Sequence, residues 1–131
     1  MKFADVYQTA DWKAEKHVPV IEAPEKVKSG QTVTITVSVG KEIAHPNTTE
    51  HHIRWIKLFF KPDNSKFAYD LGSFEFSAHG EATEGANKGP VYTEPLAVTA
   101  VKVSTSGTLL ASAYCNIHGL WEASKALTVE G

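Results

Sequence analysis

Cysteine, methionine and arginine each occur once in this chain of 131 residues, as Cys115, Met1 and Arg54. A lone cysteine excludes a disulfide framework and any tetrathiolate metal knot. A lone arginine leaves few bidentate readers of phosphate, and a formal net charge of -2 gives no global attraction to nucleic acid or anionic membrane. No apolar run approaches the length of a bilayer span. The first residues, Met1-Lys2-Phe3-Ala4-Asp5-Val6-Tyr7, lack the apolar stretch of a signal peptide, so a cytoplasmic location is expected, where a free thiol stays reduced. Repeats, low-complexity tracts and long linkers are also missing. Residues 1–131 therefore read as one domain, long enough to bury a core without staples.

What the chain does have is β-pattern and histidine. Residues Thr32–Val39 alternate, with Val33, Ile35, Val37 and Val39 on one face and Thr32, Thr34, Thr36 and Ser38 on the other. That is the period of a half-buried strand. Ile53–Phe60, Ala68–Phe76, Leu96–Val103, Thr108–Tyr114 and Ala126–Val129 are further strands by their β-branched and aromatic content. Val18–Ile21 supplies another near the start. Turn chemistry separates them at Ser29-Gly30, Pro62-Asp63-Asn64-Ser65, Glu84-Gly85-Ala86-Asn87 and Ser106-Gly107. Helical periodicity is confined to a turn around Ala10–Lys16. The fold class expected is all-β, an antiparallel β-sandwich, with a small closed barrel as the alternative.

Six histidines accompany the one thiol, and the chemistry gathers in three islands. The first is Glu15-Lys16-His17-Val18-Pro19, where Pro19 limits the movement of the chain just after His17. The second is His45-Pro46-Asn47-Thr48-Thr49-Glu50-His51-His52, a loop leading into a strand. Adjacent strand side chains point to opposite faces, so His51 and His52 should not both reach one metal, and parity alone does not choose between them. The third is Tyr114-Cys115-Asn116-Ile117-His118-Gly119-Leu120-Trp121. A thiolate and an imidazole three residues apart suit one metal. Taken singly, each island has a bland reading: a solvated charged run, polar loop histidines, or a buried cysteine packed as a small hydrophobe.

Counting donors narrows the metal. A structural zinc site closes with four ligands, whereas one thiolate and four imidazoles suit a five-coordinate iron with one open position. Blue copper adds a weak axial methionine, and Met1 lies far from the Cys–His loop in sequence. Copper with a different axial ligand stays open on this count. Trp121 and Leu120 are expected to cover the buried side of the centre, and Trp12 and Trp55 to be core or interface residues.

These three islands, in this order, resemble the superoxide reductases, and among them the short one-iron neelaredoxin type of the desulfoferrodoxin family. Likeness extends to Glu75-Phe76-Ser77-Ala78-His79-Gly80 and Tyr92-Thr93-Glu94-Pro95. The resemblance implies an immunoglobulin-like β-sandwich with one mononuclear non-haem iron (Fe2+/Fe3+) per chain. It implies His17, His45, His51 and His118 in the plane, with Cys115 axial. It makes Glu15 the glutamate that takes the sixth position in the oxidised state, and Lys16 the lysine beside the open site. His52 and His79 fall outside the ligand pattern and are read as structural. Ala44 stands where relatives often carry proline, which implies a slightly looser loop. The implied reaction is one-electron reduction of superoxide to hydrogen peroxide without release of dioxygen. A rubredoxin-like electron donor and a homotetramer are implied too. The longer relatives carry a four-cysteine iron module, which a single cysteine excludes here.

Overall fold

The computed structural model describes residues 1–131 as two facing β-sheets. In chain order the elements are α1 (Phe3–Val6), β1 (Pro19–Glu22), β2 (Lys26–Lys28), β3 (Thr32–Val39), β4 (Ile53–Pro62), β5 (Tyr69–Glu75), β6 (Leu96–Lys102), β7 (Gly107–Cys115) and β8 (Gly119–Glu130). One sheet runs β1-β3-β6 and the other β2-β8-β7-β4-β5. This is the expected immunoglobulin-like sandwich. One pair departs from the antiparallel rule: β2 runs parallel to β8, with Lys26 opposite Thr128. After β1 the chain crosses to the other sheet through Ala23-Pro24-Glu25, and the Thr128 N–H donates to the Glu25 carbonyl at 2.9 Å. A three-residue edge strand with one apolar residue, the buried Val27, carries no alternation for sequence reasoning to find.

The alternation of β3 is realised in the core. Val33, Ile35, Val37 and Val39 are buried and share one cluster with Ile56, Leu58 and Phe60 of β4, Leu109, Ala111 and Ala113 of β7, and Leu127 of β8. Each large apolar side chain buried there contributes roughly 1.5–3 kcal/mol, so the strands rather than the loops hold the molecule together. The expected strands 53–60, 68–76, 96–103 and 108–114 lie within a residue or two of the observed ones. The last strand does not: it begins at Gly119 rather than Ala126. Glu122, Ser124 and Lys125 dilute its apolar signal, and its length is set by pairing along all of β7, from Gly107 with Leu127 to Cys115 with Gly119. The expected turn near Ala10–Lys16 is present, with Ala14 and Glu15 N–H groups donating to the Asp11 carbonyl. Trp12 and Trp55 are only half-buried and lie outside the core cluster. Trp12 lies beside the Lys13 and Lys41 ammonium groups, and Trp55 stacks on Tyr114. No helix is long and apolar enough to cross a membrane.

Candidate metal centre

All three islands end at one edge of the sandwich because the strands put them there. His17 precedes β1, whose first residue Pro19 is fully buried. His45, His51 and His52 lie on the connection from β3 to β4. Cys115 ends β7, and His118 sits in the three-residue hairpin loop that returns into β8. That loop closes at the Cys115–Gly119 pair, where Gly119 takes φ +82°, the left-handed conformation such loops require. Ile53 pairs with Cys115 at the start of β4, which carries the His51 segment to the thiol.

The donor atoms converge. Those of His17, His45, His51 and Cys115 all lie within 4.8 Å of one another. His118 joins them: its Nδ1 is 3.1 Å from His17 Nε2, 3.3 Å from His51 Nε2 and 3.7 Å from Cys115 Sγ. The His118 backbone N–H also points at Cys115 Sγ, at 3.4 Å, a donor suited to a thiolate. His17 and His45 are buried at 6% and 9% relative exposure, whereas His118 is exposed, so the cluster is walled on one side and open on the other.

The outer nitrogens are held by the protein. His45 Nδ1–H donates to the Pro46 carbonyl at 2.7 Å, which leaves Nε2 as a bare lone pair. That Nε2 is sealed from solvent and has no hydrogen-bond partner. An unpaired buried nitrogen costs about 1–3 kcal/mol, a cost that a cation among these donors removes. The residues present therefore fit a metal ion. Burial, followed by the positive charges of His17, His51 and Lys16, pushes the His45 pKa down to about 4. His51 is shifted down for the same reasons, burial first and then His118, His17 and Lys16. Both shifts favour the neutral imidazole, the form that ligates.

Glu15 turns onto His17. Its Oε1 accepts the His17 Nδ1–H at 2.6 Å and the backbone N–H at 2.9 Å. The side-chain bond to His17, and then the backbone bond, hold the Glu15 carboxyl below its ordinary pKa. Lys16 is half-buried and makes no ion pair; its charge reaches the cluster, as its effect on His45 and His51 shows. Trp121 stacks on His17 with centroids 4.9 Å apart and a 14° interplanar angle, while Leu120, its neighbour on β8, points to the other side of the sheet.

His52 is buried but turned away from the cluster. It stacks on His79 at 3.5 Å and 5°, and its Nδ1–H donates to the Thr48 carbonyl at 2.9 Å. His79 Nε2–H donates to the Phe76 carbonyl at 2.7 Å. One residue that joins the loops of the site was given no role in the sequence reasoning. Asn116 accepts the His52 N–H at 2.9 Å, donates its side-chain amide to the Glu50 carbonyl at 2.8 Å, and gives its own N–H to the His52 carbonyl at 3.2 Å. It stitches the Cys115–His118 loop to the His51 loop. Its position between two metal-type ligands was the available signal.

A β-sandwich with one thiol and four imidazoles gathered at an open edge defines a class of small mononuclear metal proteins. The desulfoferrodoxin family model matches residues 9–124. A neelaredoxin from Megalodesulfovibrio gigas is 58% identical over 130 residues, covering 99% of this chain and all of that one. The solved structure of a Thermotoga maritima protein described as a candidate superoxide reductase superposes with a TM-score of 0.97 at 62% identity, covering 100% of this chain and 99% of that one. The reduced superoxide reductase (neelaredoxin) of Archaeoglobus fulgidus superposes with a TM-score of 0.88 at 56% identity, covering 95% and 99%. The chain belongs to the desulfoferrodoxin family.

Proposed function

We propose that this protein is a superoxide reductase, reducing superoxide by one electron to hydrogen peroxide without releasing dioxygen. Residues 1–131 act as one domain, and a single non-haem iron is held by His17, His45, His51, His118 and Cys115. The observation that carries this reading is the convergence of four ring nitrogens and one sulfur around the sealed, unpartnered Nε2 of His45. Close relatives named superoxide reductase and neelaredoxin support it.

Iron, when bound, supplies the one-electron chemistry. The overall step balances as superoxide plus one electron plus two protons giving hydrogen peroxide. The chain's own residues do the rest. Cys115 contributes a negative sulfur whose charge is moderated by the His118 N–H. Lys16 presents a cation at the open side, which draws the anionic substrate and orients water for proton delivery. Glu15 holds His17 in one tautomer in this structure, and its second carboxylate oxygen makes no hydrogen bond. That free oxygen is the one Glu15 would offer to a bound iron.

The likeness to superoxide reductases implies a rubredoxin-like electron donor, and one cysteine is too few for a four-cysteine iron centre within these residues. The assembly is a homotetramer and the location cytoplasmic. The test is iron analysis together with superoxide consumption. One iron per chain, with peroxide formed and no dioxygen released, supports the reading; zinc at the site, or dioxygen evolved as superoxide is consumed, overturns it.

A further inference from the structure

We propose that Gln8, on the amino-terminal arm, is a positioning residue for His118. The inference rests on His118 being a ligand in the centre proposed above. His118 is the exposed member of the cluster, carried by a hairpin loop whose next residue, Gly119, imposes little conformational restraint. Its backbone carbonyl nevertheless accepts two hydrogen bonds. One comes from the Gln8 side-chain amide at 3.0 Å and the other from the Trp121 indole N–H at 3.2 Å. Two donors on one carbonyl hold the peptide that follows the ligand, and with it the direction of the His118 ring.

Gln8 is itself fixed. Its backbone N–H donates to the Leu120 carbonyl at 3.0 Å, and its carbonyl accepts the Glu122 N–H at 2.9 Å. It thus forms a one-residue parallel bridge opposite Trp121. Its neighbour Tyr7 is anchored by a 2.7 Å hydrogen bond between its hydroxyl and that of Ser112. Helix α1, earlier on the arm, buries no residue, so the anchoring lies at Tyr7 and Gln8. The backbone bridge fixes where Gln8 stands, and the amide, not the bridge, reaches the ligand loop. Trp121 complements it by touching two members of the cluster, stacking on His17 while its N–H holds His118.

The distinction between bridge and amide makes the role testable. The full-length iron-loaded protein is compared with Q8A, Q8E and Q8K, all of which keep the backbone bridge. Q8E preserves size but offers a carboxylate to a carbonyl; Q8K restores a donor of similar reach. The readouts are the rate of iron transfer to a chelator, the oxidised thiolate-to-iron absorption band, and the melting temperature of the metal-free chain. Losing one hydrogen bond to the ligand loop speeds iron release about five-fold in Q8A and Q8E and shifts the band. Q8K stays close to the parent, and all metal-free forms melt alike. A parent-like release rate and band in Q8E overturns the proposal. So does a metal-free Q8E that melts well below the parent, because that marks a general structural role. A parent chain that takes up no iron sinks the metal-centre reading itself, and the failure is then seen before any variant is compared.

Discussion

Nε2 of His17 and Nδ1 of His118 face each other at 3.1 Å, although 101 positions separate them in the chain. The outer proton of His17 is directed at Glu15, so its inner nitrogen presents a lone pair to the cluster. Four imidazoles and a thiol in such proximity repel one another as bare donors and attract a common cation. Aerobic oxidation of the iron-loaded protein is expected to give an intense thiolate-to-iron band. Cys115→Ser abolishes that band, and a band that persists in the variant removes Cys115 from the ligand set.

Lys16 has no carboxylate partner, and the chain as a whole is slightly acidic. Its charge beside the cluster is therefore a local attraction against the global sign. Lys16→Ala is expected to slow the reaction with superoxide severalfold at low ionic strength while leaving iron content intact. The difference shrinks as salt is added. Pulse radiolysis at two salt concentrations checks this, and equal rates at low salt would remove the steering role.

Acid lability follows from the buried histidines. His45 titrates near 4 in the folded metal-free chain against an ordinary value of 6.5, and His51 and His79 are also lowered, mainly by burial. Between those values the unfolded chain binds more protons than the folded one, so stability is full above about pH 6.5 and falls as the pH drops towards 4. His45 alone accounts for a loss of the order of 3 kcal/mol. The lowered Glu15 carboxyl extends the decline, its contribution being present above its ordinary value of 4.5 and lost as the pH falls through its lower folded value. Urea midpoints of the metal-free chain at pH 7 and pH 4.5 measure the effect. Because ligation requires neutral imidazoles, the loaded protein should release iron over the acid range as well.

Gly40 closes the approach to His45. Its φ is +89°, and a Cβ placed there would lie 2.6 Å from the His45 backbone nitrogen. Gly40→Ala is expected to destabilise the chain by about 1–3 kcal/mol and to lower iron occupancy by displacing His45. Thermal melting and metal content of the purified variant test both halves. Full occupancy would show that the His45 loop tolerates the shift.

Asn116 gives a sharper test of how the loops are joined, because its hydrogen bonds link the two ligand loops without touching the donor atoms. Asn116→Ala should weaken iron retention more than Asn116→Asp, which keeps the acceptor for the His52 N–H. Chelator competition on the two variants and the parent ranks them, and identical retention in all three would show that the strands alone hold the loops together.

The sandwich was legible because β3, β4, β6 and β7 alternate or are densely apolar, and a buried face leaves that period in the chain. The parallel pairing of β2 and the first half of β8 left no such trace. Val27 is one residue, and the polar positions 122, 124 and 125 hide a strand whose extent is set by β7 across the sheet. The tryptophans lie outside the core cluster for a related reason. Trp55 occupies a strand but lies on its outer face against Tyr114, and composition does not say which face of a sheet is covered.

The sequence by itself determined the donor inventory: one thiol, its Cys-x2-His loop, and histidines beside Glu15-Lys16 and Pro46. Strand parity argued against a shared role for His51 and His52, although both lie on the loop just before β4. Tertiary structure decided which of them meet. It turned His51 towards Cys115 and His52 onto His79, folded Glu15 onto His17, sealed Nε2 of His45, and brought Gln8 and Asn116 to the ligand loops. Those relations depend on strand register and on loop closure between segments up to about a hundred positions apart, as between His17 and His118. A one-dimensional pattern carries residue types and local periods, whereas such distances exist only once the two sheets are packed.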